Sequence, residues 1–277
     1  MLNTQNHSRD SAGLKYIYPV VSRRAGGLSI GINLNVNNAC NWACIYCQVP
    51  NLTRGGPPPV DLDLLENELR QFVSQVINGD YLSINTPPEY RRLVDIAFSG
   101  NGEPTSACEF PEAVERVERV IHEFGLQKQL PIRLITNGSL VHRPAVQAGI
   151  SRIGAMGGEV WFKLDRATPA GIETVNGIRV SVEKTKKSLE QCCALAPTWI
   201  QTCLFAIDGN APNEHEIAAY LDLLSTFAGK IQGVHLYGLA RPSMQPQKER
   251  LSALPADSLE CLARQINQLG IKTTVSL

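Results

Sequence analysis

A chain of 277 residues, 43% hydrophobic and 19% charged, can bury a substantial core and is too apolar for a disordered segment. Its 26 Lys and Arg cancel its 26 Asp and Glu, so it lacks the overall basic charge by which most nucleic-acid binders draw their targets. No apolar run reaches membrane-spanning length and residues 1–11 lack the apolar centre of a signal peptide, so a cytoplasmic protein is expected, with eight cysteines kept as thiols rather than paired.

Short apolar runs alternate with helical patterns, the signature of parallel strands joined by crossover helices. Strands are expected over residues 28–36, 93–99, 132–136, 160–164, 199–205, 233–237 and 272–276. Helices are expected over 62–77, 111–124, 182–195, 214–227 and 257–269, with Ser181 and Asn213 as N-caps. Six or seven such units make an α/β chain with a partial (β/α)6 TIM-like barrel rather than the full eight-fold one. It reads as a single domain: residues 1–27 an N-terminal extension, 28–242 the barrel core, and 243–277 a C-terminal helix and a possible seventh strand. Two connections stand apart. Residues 47–61 contain Gly55-Gly-Pro-Pro-Pro59, which leaves no room for a helix, and 79–90 form a polar, proline-containing insertion.

The first expected strand runs into Cys40-Asn-Trp-Ala-Cys44-Ile-Tyr-Cys47. This spacing offers three thiolates to one metal centre and no fourth nearby. Thiolate is the donor iron-sulfur clusters prefer, and a four-iron cube held by three of them keeps one iron open. Structural zinc takes four ligands, typically from two paired halves, and no second half follows. Trp42 and Tyr46 can screen the sulfurs from water. Cys108, Cys192, Cys193 and Cys261 lack ligand spacing and read as core thiols. Charge is uneven: residues 1–60 carry Arg9, Lys15, Arg23, Arg24 and Arg54 against Asp10 alone, which suits either an anionic ligand or a solvated basic edge.

In a parallel barrel the reactive groups gather at the C-terminal strand ends. The second expected strand ends in Ser99-Gly100-Asn101-Gly102-Glu103, whose glycines let the backbone turn sharply and approach a ligand, or simply make a tight turn. The third ends near Asn137 and Ser139, with amide and hydroxyl groups suited to a ribose or carboxylate. Alternation puts Lys163 and Asp165 of the fourth on one side, as a pair around a polar ligand or as an ion pair closing the barrel. Gln201 and Cys203 share a face of the fifth. Tyr237 ends the sixth, and Arg241 beyond it carries a planar fork that binds carboxylates. His235, within that strand, reads as a packed histidine rather than a proton donor.

The cysteine motif, with an aromatic before its third cysteine, resembles that of the radical S-adenosylmethionine (SAM) enzymes. Tyr18-Pro-Val-Val-Ser-Arg-Arg-Ala-Gly-Gly-Leu-Ser-Ile-Gly-Ile-Asn33, together with Gln48-Val49 after the cysteines, is similar to a narrower branch that includes the radical enzymes of wybutosine synthesis and many bacterial relatives. The resemblance spans residues 18–242. It implies a 4Fe-4S cluster on Cys40, Cys44 and Cys47, SAM on the open iron, a one-electron donor such as flavodoxin or ferredoxin, and a 5′-deoxyadenosyl radical that abstracts hydrogen. It further implies that Tyr46, Gly100, Asn101, Gly102, Glu103, Asn137, Gln201 and Tyr237 line the SAM site, with Asn101 replacing the middle glycine of a GGE-type motif. Lys163, Asp165 and Arg241 would serve catalysis. A small-molecule or peptide substrate is expected from the neutral, compact chain. A tRNA or nucleoside held through Arg23, Arg24, Arg54 and Arg241 is one alternative, and a partner protein activated to a glycyl radical is another.

Overall fold

A computed structural model describes residues 2, 12–22 and 25–276. Eight strands form one sheet in the order of the chain: β1 Ile17–Ser22, β2 Gly27–Asn33, β3 Leu93–Ser99, β4 Ile132–Thr136, β5 Glu159–Lys163, β6 Thr198–Leu204, β7 Gly233–Gly238 and β8 Thr273–Ser276. β1 pairs antiparallel with β2, and every later pairing is parallel. The principal helices are α1 Leu62–Asn78, α2 Phe110–Glu123, α3 Pro144–Ala155, α4 Pro169–Asn176, α5 Val182–Leu195, α6 Glu214–Ser225 and α7 Ala256–Gln268. A parallel sheet whose spatial order follows the sequence curls the same way at each crossover, and the result is a partial TIM-like barrel whose first and last strands are not paired.

Period-two alternation sorts each strand between two surroundings. Leu28, Ile30 and Ile32 of β2, Ile96 and Phe98 of β3, and Val160 and Phe162 of β5 are buried in one core with the helices. Ser29 and Gly31, Asp95, Ala97 and Ser99, and Trp161 and Lys163 from the same strands line an inner cavity instead. The helices cover the outer face through apolar stripes. In α2 these are Phe110, Ala113, Val114, Val117, Val120 and Ile121, a three-and-four spacing, and each large side chain so buried contributes about 1.5–3 kcal/mol.

The N-terminal ends of the strands are plugged by a polar and aromatic layer. Asp95 pairs with Arg133 and accepts from Ser29. Arg133 also reaches Glu159 at 3.3 Å, and the Trp161 indole N–H donates to the same Glu159 carboxylate at 3.1 Å. His235 stacks on Trp199 at 4.5 Å and exchanges a hydrogen bond with Thr274 at 2.7 Å, a packed histidine as the sequence indicated.

Several elements lie where the sequence reading placed none. Residues 17–22, read as part of the N-terminal extension, form edge strand β1. Pro19 in it has no backbone N–H, a lack that an edge strand tolerates. Its start is fixed by Glu68 of α1, which accepts from the backbone N–H of Lys15 and Tyr16 at 2.9 and 2.8 Å. Tyr18 sits directly opposite Gly31, and its ring occupies the space that a side chain at Gly31 would need. Helix α3 escaped notice because glycines hold packed positions in it: Gly149 faces Phe110 and Gly154 faces the Leu195 carbonyl. Helix α4 has a Thr168 cap, Pro169 in its first turn and Gly177 at φ +65° after its end, but at eight residues it is too short to show a period. The insertion at 79–90 contains the short helix Tyr81–Asn85. Ser181 and Asn213 cap α5 and α6 as expected, accepting from Lys184 and Glu216. Among the described residues no helix is long and apolar enough to cross a membrane.

Candidate functional site

The cavity inside the half-barrel has a volume of ≈ 290 Å³ and reaches the C-terminal strand ends, where the loop after β2 roofs it. Cys40, Cys44 and Cys47 of that loop all line it. The loop is seated on two sides. On one, the N–H groups of Ala43 and Ile45 donate to the carbonyls of Asn176 and Val175 at 3.0 and 2.9 Å, stitching it to the end of α4. On the other, the segment after β7 grips it. The Ser243 hydroxyl donates to the Ile45 carbonyl at 2.6 Å, the Met244 N–H to that of Cys47 at 2.9 Å, and the Gln245 amide to that of Val49 at 2.8 Å. Arg54 donates to the carbonyls of Asn41 and Gly177, bridging loop and helix end from outside.

Underneath, Tyr46 packs on Phe205 with ring centroids 5.5 Å apart and donates its hydroxyl to Asp165 at 2.7 Å. The Lys163 ammonium lies 5.1 Å from the Tyr46 ring centroid. Burial pushes the Cys44 thiol up to about 12 and the Cys40 thiol above its ordinary value, so a free thiolate is costly there and a metal ion would have to displace the proton. Burial would lower the Lys163 pKa, but Tyr237, Cys44, Asp165 and Cys47 outweigh it and hold the ammonium above the usual lysine range. Among the described residues no three His, Cys, Asp or Glu converge as chelation of one ion requires. The cysteines stand around a shared cavity, and in a cluster each would hold a different iron. Three soft donors with one cation beside them fit an anionic iron-sulfur cluster.

The turn after β3 is built from close approaches. Gly100 has φ +135°, and a Cβ there would enter the Asn33 side chain. At Gly102 the obstacle is the Ala39 carbonyl and the Asn35 amide, so Gly102→Ala must displace backbone beside Cys40. It is expected to cost about 1–3 kcal/mol, read as a lower denaturation midpoint. Asn101 is held by its own N–H to Asn33 at 3.0 Å and by its side chain to Asn38 at 2.6 Å.

Solved structures share this backbone. TYW1 with a lysine-pyruvate adduct bound superposes with a TM-score of 0.59 at 17% identity, over 87% of this chain and 73% of that one. A radical SAM methyltransferase from Sphaerobacter thermophilus gives 0.56 at 14% identity, over 94% and 68%. Spore photoproduct lyase gives 0.58 at 9% identity, over 94% and 79%. The chain has the radical SAM fold. No protein-family model matches it. One curated relative, named GTPase Obg, from Brachyspira hyodysenteriae, is 27% identical over 154 residues, 54% of this chain, and the chain spans 19% of that relative's length.

Within the radical SAM fold the expected site residues divide into two groups. Tyr46, Gly100, Asn101, Gly102, Glu103, Asn137, Lys163, Gln201, Tyr237 and Arg241 all line the cavity with the cysteines. Glu103 and Asn137, however, spend their polar groups on the protein. Glu103 is buried and accepts from the Thr105 N–H and hydroxyl, the Thr136 hydroxyl and the Asn137 N–H at 2.6–3.2 Å, tying the end of β3 to that of β4. The Asn137 side chain donates to Asn41 at 2.9 Å and accepts from the Ser139 N–H at 3.0 Å, so it steadies the cysteine loop. Asp165 does not join Lys163 in the cavity. It lies past the end of β5, 4% exposed, and accepts from Tyr46, from Asn176 at 2.8 Å and from the Cys203 N–H at 2.9 Å. No Lys163–Asp165 ion pair within 4.0 Å is found among the described residues. Alternation holds only inside a strand, and β5 ends at Lys163.

Gln201 brings a buried amide to the cavity wall. It is 2% exposed, and its amide nitrogen has no hydrogen bond, a state that costs about 1–3 kcal/mol until an acceptor arrives. The sequence reading did not single out Asn41, Arg54, Asn176, Ser243 or Gln245 as parts of the cysteine-loop seat. Asn41 lies inside the motif; the others are ordinary polar residues in sequence and become legible only through their contacts.

Proposed function

We propose that the protein is a radical SAM enzyme acting on a small molecule or peptide. The observation that carries this reading is that three cysteine thiols and the unpartnered Gln201 amide face one cavity at the C-terminal mouth of the half-barrel. Cys40, Cys44 and Cys47 would hold a 4Fe-4S cluster, and with SAM bound and a one-electron donor such as flavodoxin or ferredoxin it would supply the reductive cleavage of SAM that starts hydrogen abstraction from the substrate.

The chain's own groups do the rest. The backbone edge of residues 100–102 offers acceptors for an ammonium, and its glycines permit the approach. Lys163 and Arg241 bring positive charge to the cavity for carboxylates. Tyr237 and Leu239 present an apolar wall for a base, and Gln201 supplies a buried donor. Tyr46 and Phe205 exclude water behind the sulfurs. A cavity of ≈ 290 Å³ closed below by Asp95, Arg133 and Trp161 admits a small molecule or a protruding side chain.

Of the arginines considered for an RNA substrate, Arg54 is bonded to loop carbonyls, Arg241 lines the cavity, and Arg23 and Arg24 lie outside the described residues. The sequence holds no G-x-x-x-x-G-K-[ST] phosphate loop, so the GTPase of the relative's name does not enter this reading.

Anaerobically reconstituted protein reduced with dithionite is expected to release 5′-deoxyadenosine and methionine, and Gln201→Leu to weaken SAM binding about tenfold, one hydrogen bond's worth near 1.4 kcal/mol, by calorimetry on cluster-loaded protein. Cluster-loaded wild type that neither binds nor cleaves SAM would refute the reading. Tight, steeply salt-dependent retention of total tRNA on a filter would move the substrate to nucleic acid.

A further inference from the structure

We propose that Asn176 sets the reduction potential of the metal centre by donating a hydrogen bond to the sulfur of Cys44, with Asp165 holding the amide in the donating orientation. This rests on the reading of Cys40, Cys44 and Cys47 as cluster ligands, and it assigns Asn176 a positioning and tuning role that touches no substrate.

The geometry is specific. Asn176 is the last residue of α4, 2% exposed, and Gly177 follows it in the left-handed conformation that ends the helix. A side chain at Gly177 would strike Ala43, so the helix end fits directly against the cysteine loop. The bonds Ala43 N–H to Asn176 and Ile45 N–H to Val175 flank Cys44. They drop its Sγ onto the Asn176 amide, where Nδ2 lies 3.3 Å away. The same nitrogen donates to Asp165 Oδ2 at 2.8 Å. Both neighbours are acceptors, a carboxylate and a sulfur, so the nitrogen rather than the oxygen of the amide must face them. Its two hydrogens are divided between them, and Asp165, anchored in turn by the Tyr46 hydroxyl and the Cys203 N–H, keeps the second aimed at sulfur.

A donor at a ligating sulfur withdraws negative charge from it. The reduced centre carries one more electron, so the bond is stronger in the reduced state and the potential rises. Because Asn176 and Cys44 are both buried, water does not screen the effect. Cys40 receives its bond from the backbone N–H of Trp42 at 3.4 Å, which no side-chain substitution removes. Among the described residues, Asn176 is thus the side chain seen to donate a hydrogen bond to one of the three sulfurs.

The test is a redox titration of reconstituted wild type and Asn176→Leu, followed by the reduced-state EPR signal. The expected result is a lower potential in the variant, by about 59 mV if the reduced-to-oxidised ratio at fixed potential falls tenfold, with iron content unchanged. An unchanged potential at full iron content overturns the inference and leaves the enzyme reading intact. A wild type that takes up no iron-sulfur cluster overturns both. Should Asn176→Leu fail to fold, wild type carrying asparagine labelled with 15N at the side-chain amide decides. A hyperfine coupling from that nitrogen to the reduced centre upholds the bond, and none overturns it, since the side-chain amides of Asn41 and Asn137 are directed at Ser139 and Asn41.

Discussion

Protein in which Cys40, Cys44 and Cys47 are together replaced by alanine is expected to lose the visible absorption and reduced-state EPR signal of a reconstituted cluster, and with them all release of 5′-deoxyadenosine. The loss should be complete, because Cys203, which also lines the cavity, would be left as a single thiol. Cys108 and Cys261 are exposed rather than the core thiols expected, and Cys192 is buried among the helices, so single replacement of any of these is expected to leave iron content unchanged. The variant should nonetheless fold. The seat of the loop consists of bonds from Ala43, Ile45, Ser243, Met244 and Gln245, and none of them uses a sulfur. Unaltered circular dichroism beside an absent cluster would confirm that the thiols serve chemistry rather than packing. A full cluster surviving the triple change would discard the ligand assignment.

Asp165→Leu is expected to destabilise the protein by about 3–5 kcal/mol, the size of effect seen when one member of a buried polar network is removed. Three donors lose their acceptor at once, the Tyr46 hydroxyl, the Asn176 amide and the Cys203 N–H, and the leucine offers none. In urea the midpoint should fall with the slope unchanged. Asp165→Asn keeps the shape and one acceptor oxygen, and should cost less. A change below about 1 kcal/mol in Asp165→Leu would mean that water replaces the carboxylate and that the network is not closed.

The barrel was legible because its strands are buried on both faces or alternate cleanly. Residues 93–99 and 132–136 were placed to the residue, and the other interior strands within one to three. Helices α2, α5 and α7 showed themselves by their period. What escaped was whatever a period cannot carry: a helix with glycines in its packed face, a helix of two turns, and a strand containing proline at the sheet edge. The site divides in the same way. Cysteine spacing is a local property and was readable. The hydrogen bonds of Glu103, Asn137 and Asp165 depend on where their partners lie in the fold, and a sequence does not show that these groups also tie loops together. Gln201 lines the cavity with an amide nitrogen that has no hydrogen bond among the described residues.

The seat of the cysteine loop also sets an order in time. Gln245 grips the Cys47 carbonyl across 198 residues of chain, which a ribosome adds in roughly 10–40 s at 5–20 residues per second. Val175 and Asn176 arrive earlier, but still long after the cysteines. During that interval the nascent chain carries three neighbouring thiols on a loop with nowhere to rest, open to stray metal ions and to oxidation. On the proposed reading, iron delivered before Gln245 emerges would meet a site whose seat is still unformed, so productive loading would follow the synthesis of that segment.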